Sequence, residues 1–228
     1  WWTCESIRRT TRRRFLLMKI THHETEHPWI SIEDFYTQDE LDFIWEELTF
    51  LNYSWKLDLP DESTSASDSN GELLKKNRGI FLDGLYQERR YSNILTRNRK
   101  LLHSPKNDRK LEVFKDHPNW FFKYFKCYKD FTLISYYENN DYYKAHADTS
   151  DITALTWLFK EPKRFTGGDL IFPDTEERIE CKNNKIILFP GCIRHQVTEI
   201  NMEKQHQNQK LGRWCITQFL HSNPSNTC

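Results

Sequence analysis

From Phe131 to Leu220 the chain breaks into eight short segments rich in β-branched and aromatic residues, and no other feature constrains its fold as strongly. These are "FTLISYY", the stretch ending in "YYKAHAD", "DITALTWLF", "GGDLIF", "ERIEC", "NKIILF", "HQVTEI" and "RWCITQFL", each set off from the next by turn signals. Runs of this composition and spacing are strands. Eight of them within about ninety residues suit a double-sheet jelly roll, which closes its core between two facing sheets.

The first half has a different texture. "HPWISIEDFYTQDELDFIWEELTFL" predicts a short strand and then a helix, with Thr37 and Glu40 in a capping-box pattern. Leu41, Ile44, Trp45 and Leu48 recur at helical spacing, so that face is core and Trp45 is packing. "LPDESTSASDSNGE" is a loop without the means to bury itself. Residues 72–104 mix basic and apolar positions, with the solvated charge run "RNRK" at 97–100. "SPKNDRKLEVFKDHPNWFFKYFKC" predicts helix on both sides of His117 and Pro118, with Trp120, Phe121, Tyr124 and Phe125 as its apolar face. The expected architecture is therefore mainly β with flanking helices (α+β). A jelly-roll core occupies 131–220, helical support at 29–126 packs outside one sheet, and 18–228 form a single domain. Residues 1–17, with five arginines before a short apolar run, are expected to be a disordered or non-native leader. His22, His23 and His27 are expected in a solvated segment, since no carboxylate or thiol pattern accompanies them.

Charge and cysteine content narrow the class. Thirty-three basic and thirty-three acidic residues cancel, so no global field points to nucleic acid or an anionic membrane. The six cysteines form no CxxC pair, and Cys181, Cys192 and Cys215 lie in apolar runs, the pattern of buried reduced thiols in a cytoplasmic (intracellular) protein. No apolar stretch approaches the twenty or so residues that cross a bilayer.

The residues that carry chemistry sit among the strands. "FTLISYYENNDYYKAHAD" reads as a hairpin ending on His146 and Asp148, and His195 follows in "FPGCIRHQV". A lone His-x-Asp is expected by chance in roughly a third to a half of chains like this one. Its setting adds the information: alternation along a strand points positions 146 and 148 the same way, whereas a helix would separate them by about 200°. Two imidazoles and one carboxylate cap one face of an octahedral metal and leave the other open, which is the ligand set of non-haem Fe(II) oxygenases. Alternation also puts Thr153, Leu155 and Trp157 on one face, and Arg213, Cys215, Thr217 and Phe219 on another, lining the interior. A charge heading the last apolar strand, as Arg213 does, calls for an anionic partner. Gly167 and Gly168 are read as structural, allowing a tight approach into the next strand.

With these motifs in order, the chain resembles the Fe(II)/2-oxoglutarate-dependent dioxygenases of the prolyl 4-hydroxylase-like branch (alpha-subunit catalytic domain type). The resemblance is close over 131–220 and loose over 29–50. It rests on the tyrosine-rich lead-in to His-x-Asp, the "GGDL" turn, the "FP" strand end before the distal histidine, and a basic residue opening the last strand. It implies that His146, Asp148 and His195 bind Fe(II), with 2-oxoglutarate and O2 as cosubstrates and ascorbate as an accessory reductant. Arg213 would hold the remote carboxylate of 2-oxoglutarate, Tyr137 would help it, Thr153 would donate a second hydrogen bond to it, and Tyr143 would lie by the substrate among the catalytic residues. Two departures stand out. The polar stretch "NMEKQHQNQKLG" lengthens the gap between His195 and Arg213, leaving Lys204 or Lys210 as alternative anion partners. Arg213 also stands where the collagen-type enzymes have lysine.

The implied reaction is hydroxylation of a C–H bond, with succinate and CO2 released. A prolyl or other residue of a peptide or protein is the first substrate class, and a free amino acid or other small molecule the second. A cupin-like jelly-roll binding protein is the non-enzymatic rival, with no cosubstrate turnover. Specificity would reside in the loops 58–72, 138–141 and 200–211. Nothing in the sequence sets the oligomeric state.

Overall fold

Two antiparallel sheets lie face to face, and the C-terminal half of the chain deals its strands between them. The computed structural model describes residues 19–53, 57–59, 67–102, 110–115 and 117–223. The expected leader at 1–17, Cys4, Cys228 and the middle of the 58–72 loop lie outside these residues.

The strands are β1 (Lys19–His23), β2 (Trp29–Glu33), β3 (Lys75–Lys76), β4 (Arg78–Phe81), β5 (Lys129–Tyr137), β6 (Tyr142–His146), β7 (Ile152–Leu158), β8 (Leu170–Phe172), β9 (Glu177–Ile179), β10 (Lys185–Pro190), β11 (His195–Val197) and β12 (Arg213–His221). The major sheet runs β1-β2-β10-β7-β12-β5-β4, the minor sheet β3-β6-β11-β8-β9. The eight predicted strands are all present, four in each sheet, in a jelly roll. One expectation fails here: β5 and β6 are not a hairpin. The turn at 138–141 hands the chain from the major sheet to the minor one, because a jelly roll sends these successive strands to opposite layers.

The inner faces of both sheets share one apolar cluster, with Leu155, Trp157, Ile187 and Phe189 from the major sheet against Leu170, Phe172, Ile179 and Val197 from the minor. A second cluster covers the outer face of the major sheet, where Ile30, Ile186, Leu188 and Ile216 meet Ile44, Leu48 and Leu51 of helix α1 (Gln38–Tyr53). Each of those three helical side chains is fully buried, contributing about 1.5–3 kcal/mol. The capping box forms as predicted: the Glu40 amide donates to Thr37 Oγ1 at 3.4 Å and the Thr37 amide to Glu40 Oε2 at 3.0 Å. Buried Glu47 ties α1 to helix α3 (Asn93–Leu102), accepting from Ser92 Oγ at 2.7 Å and the Ile94 amide at 2.9 Å.

The first half holds more strand than the one short strand expected there, which is β2. It also supplies β1, β3 and β4, which extend the sheets at their edges. Helix α2 (Leu82–Leu85) and helix α4 (Trp120–Tyr124) are short, and only a 3-10 turn at Glu112–Phe114 precedes His117. Nor are His22 and His23 solvated: both lie in β1, His23 stacked on Trp29 at 3.5 Å and His22 against His117 at 4.2 Å. Cys127, Cys181 and Cys215 are buried free thiols as expected, whereas Cys192 is exposed because it sits in the turn after β10. No helix among the described residues is long and apolar enough to cross a membrane.

Candidate active site

The strands of the minor sheet bring the two histidines together. His195 of β11 is the direct partner of His146 of β6, and a register shift follows between His195 and Val197. That irregularity puts Tyr143 and His146, three residues apart, on one side of the strand, where their rings stack at 3.6 Å with 15° between planes. The imidazoles stand 4.3 Å apart, and each donates its Nδ1 hydrogen to a backbone carbonyl: His146 to Lys144 at 2.8 Å, His195 to Ile193 at 2.9 Å. These bonds fix the tautomer and leave both Nε2 lone pairs facing a common point.

Asp148 completes the cluster from just past the end of β6, where the expected strand has already stopped. Its Oδ1 is 3.7 Å from His146 Nε2 and its Oδ2 is 3.5 Å from His195 Nε2. The Asp148 amide donates to the Gly191 carbonyl at 2.9 Å, and the Gly191 amide to the Asp151 carbonyl at 3.1 Å. A Cβ at Gly191 would fall 2.1 Å from the Ser150 carbonyl oxygen, so only glycine permits this approach. One ligand atom from each of the three side chains lies within 4.8 Å of the others.

The electrostatics suit a cation. Burial, then the neighbouring His195, pushes His146 down to about 4, and burial pushes His195 down to about 4. Both imidazoles are thus neutral ligands at ordinary pH. Burial raises the Asp148 carboxyl, so its charged form lacks stabilisation that a bound cation would supply. A borderline divalent metal fits this donor set of two nitrogens and a carboxylate, leaving one side open.

Opposite, at the start of β12, lies Arg213, 1% exposed. Its Nη1 donates to the Gly168 carbonyl at 2.5 Å, and its guanidinium lies 4.1 Å from the ring centre of Tyr137, its cross-strand partner. Its Nε has no hydrogen-bond partner, and no described carboxylate comes within ion-pair distance. The nearby Cys181 thiol, pushed up to about 11 by burial, stays neutral and offers no counter-charge. A buried, permanently charged fork without an anion is incomplete, and a planar carboxylate is the group that matches it. Gly167 and Gly168, both at φ 75°, shape this corner. A Cβ on Gly168 would come within 3.1 Å of Arg213 Cδ.

Of the residues expected at the site, His146, Asp148 and His195 form one cluster, with Tyr143 stacked on it, and Arg213 and Tyr137 form the second. Thr153 does not join Arg213. The β7–β12 register sets it opposite Phe219, six residues along β12 from Arg213, or roughly 20 Å. Its hydroxyl instead donates to Asp148 Oδ2 at 2.5 Å and contacts Ser150 Oγ at 3.0 Å. The expectation that it binds the cosubstrate carboxylate is therefore corrected to support of Asp148. Lys204 is exposed, and Lys210 lines a hollow on the outer face with Trp45 and Trp214, so neither reaches the interior. Sequence reasoning missed Gly191 and Lys75. Lys75 is 5% exposed in β3 as the cross-strand partner of Tyr143, and a two-residue strand leaves no periodic signal.

Residues 131–221 match the family model described as the 2OG-Fe(II) oxygenase superfamily. Comparison with curated protein sequences gives no match. Among solved structures, a prolyl-4-hydroxylase from Pseudomonas putida aligns at 12% identity over 86% of this chain and 94% of its own, with a TM-score of 0.53. A viral collagen prolyl hydroxylase from Paramecium Bursaria Chlorella virus-1 aligns at 12% identity over 84% and 94%, with a TM-score of 0.46. At this identity the Pseudomonas likeness is one of fold.

Proposed function

We propose that the chain, whose residues 131–221 match the 2OG-Fe(II) oxygenase superfamily, is a working member of it, and from that premise we infer which residues do the work and on what. It is a 2-oxoglutarate-dependent dioxygenase of prolyl 4-hydroxylase-like type, a family that works with Fe(II), 2-oxoglutarate and O2. In our reading His146, Asp148 and His195 hold the Fe(II), Arg213 grips the remote carboxylate of 2-oxoglutarate over the face of Tyr137, and Tyr143 borders the substrate. The reaction is hydroxylation of a C–H bond in a residue of a peptide or protein, prolyl first, with succinate and CO2 released. Residues 18–228 form the single domain that does this.

The observation that carries the reading is the pairing of an open-faced His-Asp-His cluster with a buried guanidinium that lacks an anion. When bound, iron and cosubstrate supply the oxidising chemistry, coupling decarboxylation of 2-oxoglutarate to oxygen insertion. The protein's part is placement. Arg213 and Tyr137 orient the cosubstrate through a charge-assisted fork. The carbonyls of Lys144 and Ile193 hold each Nε2 on the metal side, and the Thr153 hydroxyl holds Asp148 by one oxygen so that the other is free to ligate. The apolar inner cluster keeps bulk water from the reacting groups.

Succinate formation with Fe(II), 2-oxoglutarate and ascorbate, over a panel of prolyl peptides, other peptides and free amino acids, tests the reading beside His146→Ala and Arg213→Ala. Turnover lost in both variants supports it. A wild-type chain that neither binds 2-oxoglutarate nor releases succinate across the panel overturns it. The prolyl choice leans on the name of the Pseudomonas fold relative. A free amino acid or other small molecule is the alternative target, since the same core residues serve either.

A further inference from the structure

We propose that Lys75 is a substrate-recognition residue, and that the molecule hydroxylated carries a carboxylate close to the C–H bond attacked. The inference rests on the reading of the site given above and extends it to the substrate.

Lys75 stands in β3, the edge strand of the minor sheet, so its position is at the rim of the interior rather than deep within it. It pairs directly with Tyr143, whose ring stacks on His146, and its charge is felt at His146. Although only 5% exposed, it makes no hydrogen bond and no ion pair among the described residues. Among the described residues Asp58 is the one acid whose charge reaches it, and burial nevertheless pulls it down to about 8. Asn77, two residues on, is 3% exposed, and its side chain is engaged by the Tyr137 hydroxyl. The turn from β3 to β4 thus presents a buried cation with no hydrogen bond or ion pair among the described residues, beside an amide turned to Tyr137. By contrast its neighbour Lys76 points outward toward Asp141.

Charge counting says which anion Lys75 awaits. A divalent metal, the Asp148 carboxylate, dianionic 2-oxoglutarate and Arg213 together balance to zero. Lys75 then adds one buried positive charge that, among the described residues, only Asp58 offsets and only from beyond ion-pair distance, and a poorly compensated buried charge is costly. Both cosubstrate carboxylates already have partners in that arrangement, one in Arg213 and one at the metal. The remaining negative charge comes with the substrate. A carboxylate meets the ammonium, and it has two sources: the α-carboxylate of a free amino acid, or an acidic side chain beside the target residue of a peptide.

The test is binding to protein loaded with Mn(II) and 2-oxoglutarate under nitrogen, so that nothing turns over. Probes are the free L-amino acids against their amides, and capped Gly-X-Asp-Gly peptides against Gly-X-Asn-Gly. We expect an acidic probe to bind at least about tenfold more tightly than its neutral partner. Lys75→Met should abolish that preference, Lys75→Arg should keep part of it, and Lys76→Gln should leave it intact. Preference in the amino-acid series identifies a free-acid substrate, and in the peptide series an acidic peptide. Absence of any acidic preference across the panel overturns the proposal, as does a preference that survives Lys75→Met. If Lys75→Met instead weakens 2-oxoglutarate binding and leaves probe preference alone, Lys75 serves the cosubstrate and the proposal fails. Failure of the wild-type protein to bind 2-oxoglutarate at all strikes the oxygenase site itself, a distinct result. A melting temperature within a few degrees of wild type shows that Lys75→Met is folded.

Discussion

His146 and His195 face each other directly across β6 and β11, so each imidazole is held in its place by the same pair of strands that holds the other. Each ring is also pinned through Nδ1 to the carbonyl two residues before it, Lys144 in β6 and Ile193 in the turn before β11, so removing one ring leaves its partner oriented. His195→Ala should therefore fold, with an unchanged circular dichroism spectrum, while its affinity for Mn(II) falls at least about 100-fold. Titration calorimetry reads both the loss and the stoichiometry, and an unaltered affinity would remove His195 from the ligand set.

Thr153 offers a sharper division of roles. Because its hydroxyl serves Asp148 and lies far along β12 from Arg213, Thr153→Val should weaken metal binding by about 10-fold or more and leave 2-oxoglutarate affinity of the metal-loaded protein within about twofold. The reverse pattern would put it back on the cosubstrate.

Arg213→Met should separate function from stability. Deleting an unpaired buried charge and filling its space with an apolar chain costs little and can stabilise, so the melting temperature without ligand should equal or exceed that of wild type. Addition of 2-oxoglutarate and Mn(II) should raise the melting temperature of wild type and not of the variant. Thermal scans with and without ligand check both halves.

Gly168→Ala tests the corner behind that arginine. Its φ of 75° is unfavourable for alanine, and the added methyl would press on Ile200 Cδ1 at 2.6 Å and on Arg213 Cδ at 3.1 Å. We expect a stability loss of about 1–3 kcal/mol, with 2-oxoglutarate binding weakened beyond what partial unfolding explains. Denaturant titration gives the first and calorimetry the second.

His117 makes a prediction about acid. Its ring is buried against His22 and Phe122, with Nε2 making no hydrogen bond and standing 4.0 Å from Glu24 Oε1, and burial followed by the charge of His22 pushes it down to about 4. Since this folded value lies below the ordinary 6.5, the folded state resists the proton that the unfolded chain accepts. The stabilisation is full above pH 6.5 and drains away as pH falls toward 4. Melting temperature should drop across that window, and His117→Phe should flatten the drop.

Strand composition made the eight C-terminal segments legible, because β7, β10 and β12 carry apolar and β-branched residues on nearly every position. What composition does not encode is which layer a strand joins. The pairing of β5 and β6 into a hairpin went wrong for that reason, and β3, two residues long, has no period to detect. Helix α1 announced itself through Thr37, Glu40 and its buried stripe. At the candidate site, residue types suggested the chemistry, but the meeting of His146 with His195 and the separation of Thr153 from Arg213 are matters of register between distant strands. Lys75 looked like one more cation in a basic stretch, since its burial comes from tertiary pairing with Tyr143.

The two hydrogen bonds through Gly191 have one more implication. They tie the loop bearing Asp148 to the turn leading into His195, so the two proposed ligands are fastened to each other independently of what occupies the space between them. A metal ion held there as proposed could then leave and be replaced with these two hydrogen bonds intact. Exchange of the ion becomes a matter of the open face and the solvent, decoupled from unfolding. On the proposed reading, a site built this way should be emptied by a chelator and recharged without unfolding.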